Sequence, residues 1–127
     1  MNWVAFFSQT GSEIAHVSER VGRWPNLIVT NRQDGFEKIN QKLFSGKSRI
    51  LFTEKKPDVQ RYKEAIRSDS IVTLHGWLRI VPEEICGKYE IYNLRVRILK
   101  RELITTNIKQ QVALYIEWYL RLMQEKS

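Results

Sequence analysis

Cysteine is nearly absent from this chain. Cys86 is the single one among 127 residues, so no internal disulfide framework and no cysteine-rich zinc site can be built. Histidine is scarce as well. With His16 and His75 alone, a metal site would have to lean on carboxylates, and none is expected. No stretch approaches the roughly 20 apolar residues of a membrane-spanning helix. The opening Met1-Asn2-Trp3-Val4-Ala5-Phe6-Phe7 is apolar, but it lacks a basic leading region and is too short for a secretory signal. It reads as a buried strand in a cytoplasmic protein with no membrane partner. Acidic side chains are the minority, 14 against 21 basic ones, for a net charge of +7. Such an excess keeps a protein soluble and also attracts polyanions.

What is present is ordinary for a folded domain. Hydrophobic residues make up 43% and charged ones 28%, which excludes wholesale disorder. The length suits one domain with one real core. Val4 to Phe7 reads as a buried strand, and Ser8 to Ser12 as a turn. Ser12 is placed to cap a helix from Glu13 to Val21, with Ile14, Val17 and Val21 on one face and Gly22 as its stop. Leu27-Ile28-Val29-Thr30 is a second strand, continuously apolar and β-branched, as in a parallel sheet covered on both faces.

A short helix is expected over 36–44 and a third strand over 50–53. Pro57 would start a helix running through Tyr62 and Ile66. Ile71-Val72-Thr73-Leu74 is a fourth strand. Pro82 opens a short helix through Cys86, closed by Gly87, with Cys86 a small buried hydrophobe. Tyr92, Leu94, Val96 and Ile98 alternate with polar residues as a half-exposed strand. A helix over 103–124 follows, with Ile108, Val112, Tyr115, Tyr119 and Leu122 as an apolar stripe for capping the sheet or for a homo-oligomer contact.

This alternation of strand and helix predicts an α/β fold with a mostly parallel sheet. Ligands of such sheets bind beyond the C-terminal strand ends. The loops after the first and fourth strands are therefore where chemistry is sought. In the first, Thr10, Gly11 and Ser12 precede a helix N-terminus that favours a phosphate or carboxylate; a plain capped turn explains them equally. In the second, Gly76, Trp77, Leu78, Arg79, Ile80 and Val81 combine apolar groups with one cation, suited to a flat aromatic ligand or to core packing. His75 has no serine, cysteine or carboxylate partner nearby in sequence, so a structural or solvent-facing role is expected.

The run from Ser70 to Ile85, with its Leu74-His75-Gly76-Trp77-Leu78-Arg79-Ile80-Val81-Pro82 centre, resembles the middle of the folate-dependent formyltransferases, in particular the phosphoribosylglycinamide formyltransferases. There a strand leads into Gly-aromatic-Met-Arg-Ile-Leu and a short helix. Tyr89 to Leu94 resembles the following strand, which carries an Asn-Ile/Leu-His-Pro motif. Phe7 to Glu13 stands where the family has Ser-Gly-x-Gly-Ser-Asn, and Leu27 to Arg32 resembles its second strand. The likeness spans about residues 2–94.

The resemblance implies a Rossmann-like three-layer αβα fold in a single domain, 1–127, with 1–94 formyltransferase-like and 95–127 a divergent strand and helix. It implies 10-formyltetrahydrofolate as cofactor and no metal. Residues matching Trp77, Leu78, Arg79, Ile80 and Val81 would border the folate. Those matching Thr10, Gly11 and Ser12 would hold a substrate phosphate. Asn93 would polarise the formyl group.

The departures are equally plain. Arg95 and Val96 stand where the family has histidine and proline, and no aspartate follows Asp69. A guanidinium stays charged and cannot act as a base near neutral pH. Glu13 replaces an asparagine in the phosphate loop and would repel a phosphate unless it points away.

The expected function is therefore a formyltransferase-like protein whose catalysis is reduced or lost. The alternative is a non-catalytic binding or regulatory protein on the same scaffold, for a folate or nucleotide-like small molecule. Nucleic-acid binding through Arg95, Arg97, Lys100, Arg101 and Lys109 is disfavoured, since no helix-turn-helix, RNP or zinc pattern accompanies them.

Overall fold

The computed structural model describes residues 2–93. They form five parallel strands with helices on both faces, a Rossmann-like three-layer α/β fold. The strands are β1 (Asn2–Phe7), β2 (Leu27–Thr30), β3 (Arg49–Phe52), β4 (Ser70–His75) and β5 (Glu90–Asn93), in the spatial order β3-β2-β1-β4-β5. The helices are α1 (Ser12–Val21), α2 (Val59–Ala65) and α3 (Glu83–Lys88). The strand expected from Tyr92 to Ile98 coincides with β5 over its first two residues, and its remainder and the helix expected over 103–124 lie outside the described residues.

β1 is the spine of the sheet. It pairs with β2 from Val4↔Leu27 to Phe7↔Thr30, and with β4 from Asn2↔Ser70 to Phe7↔His75. Trp3 to Phe7 are buried without a polar break, because both faces of the strand are covered. Period-two alternation then divides them. Trp3, Ala5 and Phe7 pack with Ile14, Val17 and Val21 of α1. Val4 and Phe6 pack with Tyr62, Ala65 and Ile66 from the α2 side and with Ile85 of α3. Each large side chain so buried contributes about 1.5–3 kcal/mol.

Several boundaries depart from the sequence expectation. Gly11, with φ of 70°, caps α1 in the left-handed region, and Ser12 is the first helical residue rather than the cap. The segment 36–44 forms two short 3-10 turns, Phe36–Lys38 and Gln41–Phe44, instead of one helix. Ile39 is extended between them, and the Asn40 side chain accepts from the Lys42 N–H, a local bond that competes with helix continuation. Asp58, not Pro57, caps α2 by accepting from the Arg61 N–H at 2.9 Å. α3 runs through Gly87 to Lys88. Cys86 lies on its exposed side, a correction to the expectation of burial, because Ile85 is the residue that turns inward.

Candidate functional site at the C-terminal edge of the sheet

The loops after β1, β2, β3 and β4 converge on one side of the sheet. They enclose a cleft of about 390 Å³ lined by Ser8, Gln9, Asn31, Arg32, Gln33, Asp34, Lys55, Leu78 and Arg79. Four neighbouring strands, with the order reversing at β1, bring them together, as the open α/β topology requires.

The cleft is built from side chains clamped to backbone carbonyls. The Lys55 carbonyl accepts from Asn31 Nδ2 and from Arg79 Nε, both at 2.9 Å. Asn31 itself is buried. Gln33 Nε2 donates to the Thr53 carbonyl at 2.9 Å, tying the β2 loop to the β3 loop. Arg32 donates through Nε to the Asp34 carbonyl at 2.7 Å and through Nη1 to the Gln9 carbonyl. The Leu78 N–H donates to Ser8 Oγ at 3.0 Å, holding the β4 loop to the β1 loop. Arg32, Lys55 and Arg79 thus bring three cations to one wall system, against the single carboxylate of Asp34.

The residues expected to border a folate separate into two groups. Leu78 and Arg79 line the cleft. Trp77 is in the core: its ring meets Phe6 edge-on at 5.1 Å, and its indole N–H donates to the Tyr62 hydroxyl at 3.1 Å. Burial pushes the Tyr62 phenol above the ordinary tyrosine range, outweighing that hydrogen bond. Val81 packs against the same core from its margin, and Ile80 is 95% exposed outside the cleft.

The Thr10–Ser12 turn borders a separate hollow of about 150 Å³, with Gln9, Glu13, His75 and Gly76. Its polar groups are largely turned on one another. Thr10 Oγ1 accepts from the Ser12 N–H at 3.2 Å and bonds Ser12 Oγ at 3.1 Å. The Asn40 N–H donates to the Thr10 carbonyl at 2.8 Å, bringing the 3-10 segment over the turn.

His75 has the partners its sequence neighbourhood did not reveal. Its Nδ1 lies 2.8 Å from Glu13 Oε1, and its Nε2 lies 2.7 Å from Thr73 Oγ1. The same Thr73 oxygen accepts the Trp3 indole N–H at 2.9 Å. A proton on Nδ1 fits this chain: the indole donates to Thr73, Thr73 to Nε2, and His75 to the Glu13 carboxylate. The His75 ring is fully buried, whereas the Glu13 side chain is 43% exposed at the mouth of the hollow. An anion entering there meets a carboxylate.

Asn93 lines neither the cleft nor the hollow. Its ladder partner is Leu74, so strand alternation turns it with Val72 and Ile91 toward α2 and α3. His75, one residue beyond Leu74, turns toward α1 and does not stand in for a histidine beside Asn93. Asn31, Arg32 and Lys55 carry one sequence signal, their place just after the second and third parallel strands.

Among the described residues no group of three or more His, Cys, Asp or Glu could hold a metal ion, and no helix is long and apolar enough to cross a membrane. No protein-family model matches the chain, and no curated protein matches it.

Proposed function

We propose that this chain is a formyltransferase-like protein that binds a folate-type ligand at the C-terminal edge of its sheet, with formyl transfer reduced or lost. The observation that carries the reading is the cleft itself. Leu78 and Arg79, which match family positions beside the folate, line it together with two further cations. A folate offers a flat ring system for apolar contact and carboxylates for guanidinium and ammonium groups. The order of the four resembling segments along the chain supports the same reading.

The catalytic side of the resemblance is incomplete. The family's histidine and proline positions hold Arg95 and Val96. The buried His75 is committed to Glu13 and Thr73. Binding with slow or no turnover is the expected behaviour.

Calorimetric titration with a stable, non-transferring formyl-folate analogue tests this. Saturable micromolar binding is expected, weakened about tenfold or more in Arg79→Ala, the loss of one charge-assisted contact. Leu78→Ala, at a residue 45% exposed, checks the apolar wall with the core left intact. Absence of binding by the folded protein would refute the reading.

A further inference from the structure

We infer that the outer edge of β3, with the exposed rings of Phe36 and Phe52 beside it, is a docking site for an extended acidic segment of a protein partner, which joins the sheet as a further strand. No residue of this edge lines the cleft, so the inference stands apart from the folate reading.

Among the described residues β3 pairs with β2 alone. Its inner row of backbone groups is set by Arg49 and Thr53, whose N–H groups donate to the Asn26 and Thr30 carbonyls at 3.2 and 2.8 Å. Alternation turns the N–H and C=O of Ile50 and the N–H of Phe52 the other way, away from β2. The Phe52 carbonyl, on the same outer row, accepts from Arg61 Nη2 at 3.5 Å, and there the row closes. These outward groups offer an incoming strand the start of a new ladder.

The side chains supply selectivity. Ile50 packs at the margin of the core on the α1 side, and Phe52 shares that side by alternation. Phe36 stands edge-on to Phe52 at 5.8 Å, and the two rings are 46% and 45% exposed. Apolar residues at alternate positions of the added strand cover these rings. On the other side of the sheet Arg49 is exposed beside Leu51. Lys47, held over the Trp24 ring at 5.6 Å, and the exposed Lys56 flank the two ends of β3. The nearby carboxylate of Glu54 is drawn to Arg61 at 3.6 Å, and Glu37 and Lys38 beside Phe36 offset each other.

Charge then selects the occupant. A second copy paired antiparallel along this edge would set its Lys47 and Arg49 against Lys56. The rest of this chain, residues 94–127, is itself basic. A single-stranded nucleic acid satisfies the charge but has no amide ladder to offer. An extended acidic peptide satisfies both.

The test uses the full ¹⁵N-labelled chain and a blocked octapeptide of alternating valine and glutamate. Saturable amide shifts are expected at residues 49–53. Hydrogen exchange of the Ile50 and Phe52 amides should slow by about tenfold or more as they enter a ladder. A valine–lysine peptide of the same length should bind about tenfold more weakly. Phe36→Ala removes a ring that lies outside the core and weakens binding about fivefold. Ile50→Pro deletes an outward N–H, leaves the bonds to β2 in place and weakens binding about tenfold, whereas Ile50→Val retains it. Should Ile50→Pro fail to fold, Phe36→Ala and the exchange rates still decide. No saturable binding of the valine–glutamate peptide would overturn the inference, as would binding without slowed exchange at Ile50 and Phe52. So would tighter binding of an oligothymidylate, or a concentration-dependent dimer that Phe36→Ala abolishes, since either gives the face a different occupant.

Discussion

At the residue scale, Trp77 shows how position along a strand end decides between site and core. The sequence places it inside a loop of mixed apolar and basic character, where either role is open. In the structure its ring packs edge-on against both Phe6 and Tyr62, and its one polar atom is satisfied by the Tyr62 hydroxyl. Trp77→Ala is therefore expected to cost about 3–5 kcal/mol of stability. Leu78→Ala should cost well under half of that. Denaturant unfolding of both variants checks the contrast. Tyr62 adds a pH signature. Burial raises its phenol above the ordinary tyrosine value, so the folded state holds that proton longer than the unfolded chain. The associated stability is fully present below the ordinary value and is lost as pH rises through it to the raised one. Thermal melts across the alkaline range should show that loss in the wild type and a smaller one in Tyr62→Phe.

His75 was legible only in part. Its place after the fourth strand is evident, but its partner Glu13 is 62 residues away. No local pattern announces such a pair. The exposed cysteine has a similar cause: Ile85 and Cys86 are both acceptable core residues, and the helix face presented by α3 selects Ile85.

At the element scale, order and type were readable where apolar runs are strong. β1, β2 and β4 are rich in β-branched or aromatic residues, and β2 runs from Leu27 to Thr30 as expected. The segment over 36–44 was not readable, since only Ile39 and Leu43 anchor it and Asn40 captures a backbone donor between them. Start signals also misled by one residue. Pro57 suggested the beginning of α2, but a carboxylate one position later satisfies an otherwise orphaned N–H. Asp58→Ala should cost about 1 kcal/mol, with Asp58→Ser recovering most of it. A pair of equilibrium unfolding curves measures this. A surface ion pair between Lys63 and Glu84 links α2 to α3 at 2.8 Å; the ammonium beside it holds the Glu84 carboxyl below the usual range. Its contribution is small and screened by salt.

At the scale of the whole molecule, the strand order matters more than any one motif. Placing β1 between β2 and β4, with β3 beyond β2, gathers four C-terminal loops on one edge. Sequence alone supplied the alternation of strand and helix, and from it the parallel sheet. It did not supply which loops meet, because that depends on strand order. Asn31, Arg32 and Lys55 stand beside Leu78 and Arg79 only in the assembled sheet. The same order predicts a gradient of local stability. Amides of β1 and β4, paired on both sides and covered on both faces, should exchange slowest with solvent. Those of the edge strand β3, whose residues are half-buried or exposed, should exchange fastest among the strands. Hydrogen exchange followed by NMR reads this directly.

On the proposed reading, a folate-type ligand binds in the cleft at the sheet edge, where Leu78 and Arg79 stand. The most direct measurement is an amide-shift map of the full chain titrated with the non-transferring formyl-folate analogue. Saturable shifts clustered at Gln9, residues 31–34, Lys55, Leu78 and Arg79 are expected. Shifts confined to residues 10–13, or to the α2–α3 face, would contradict it.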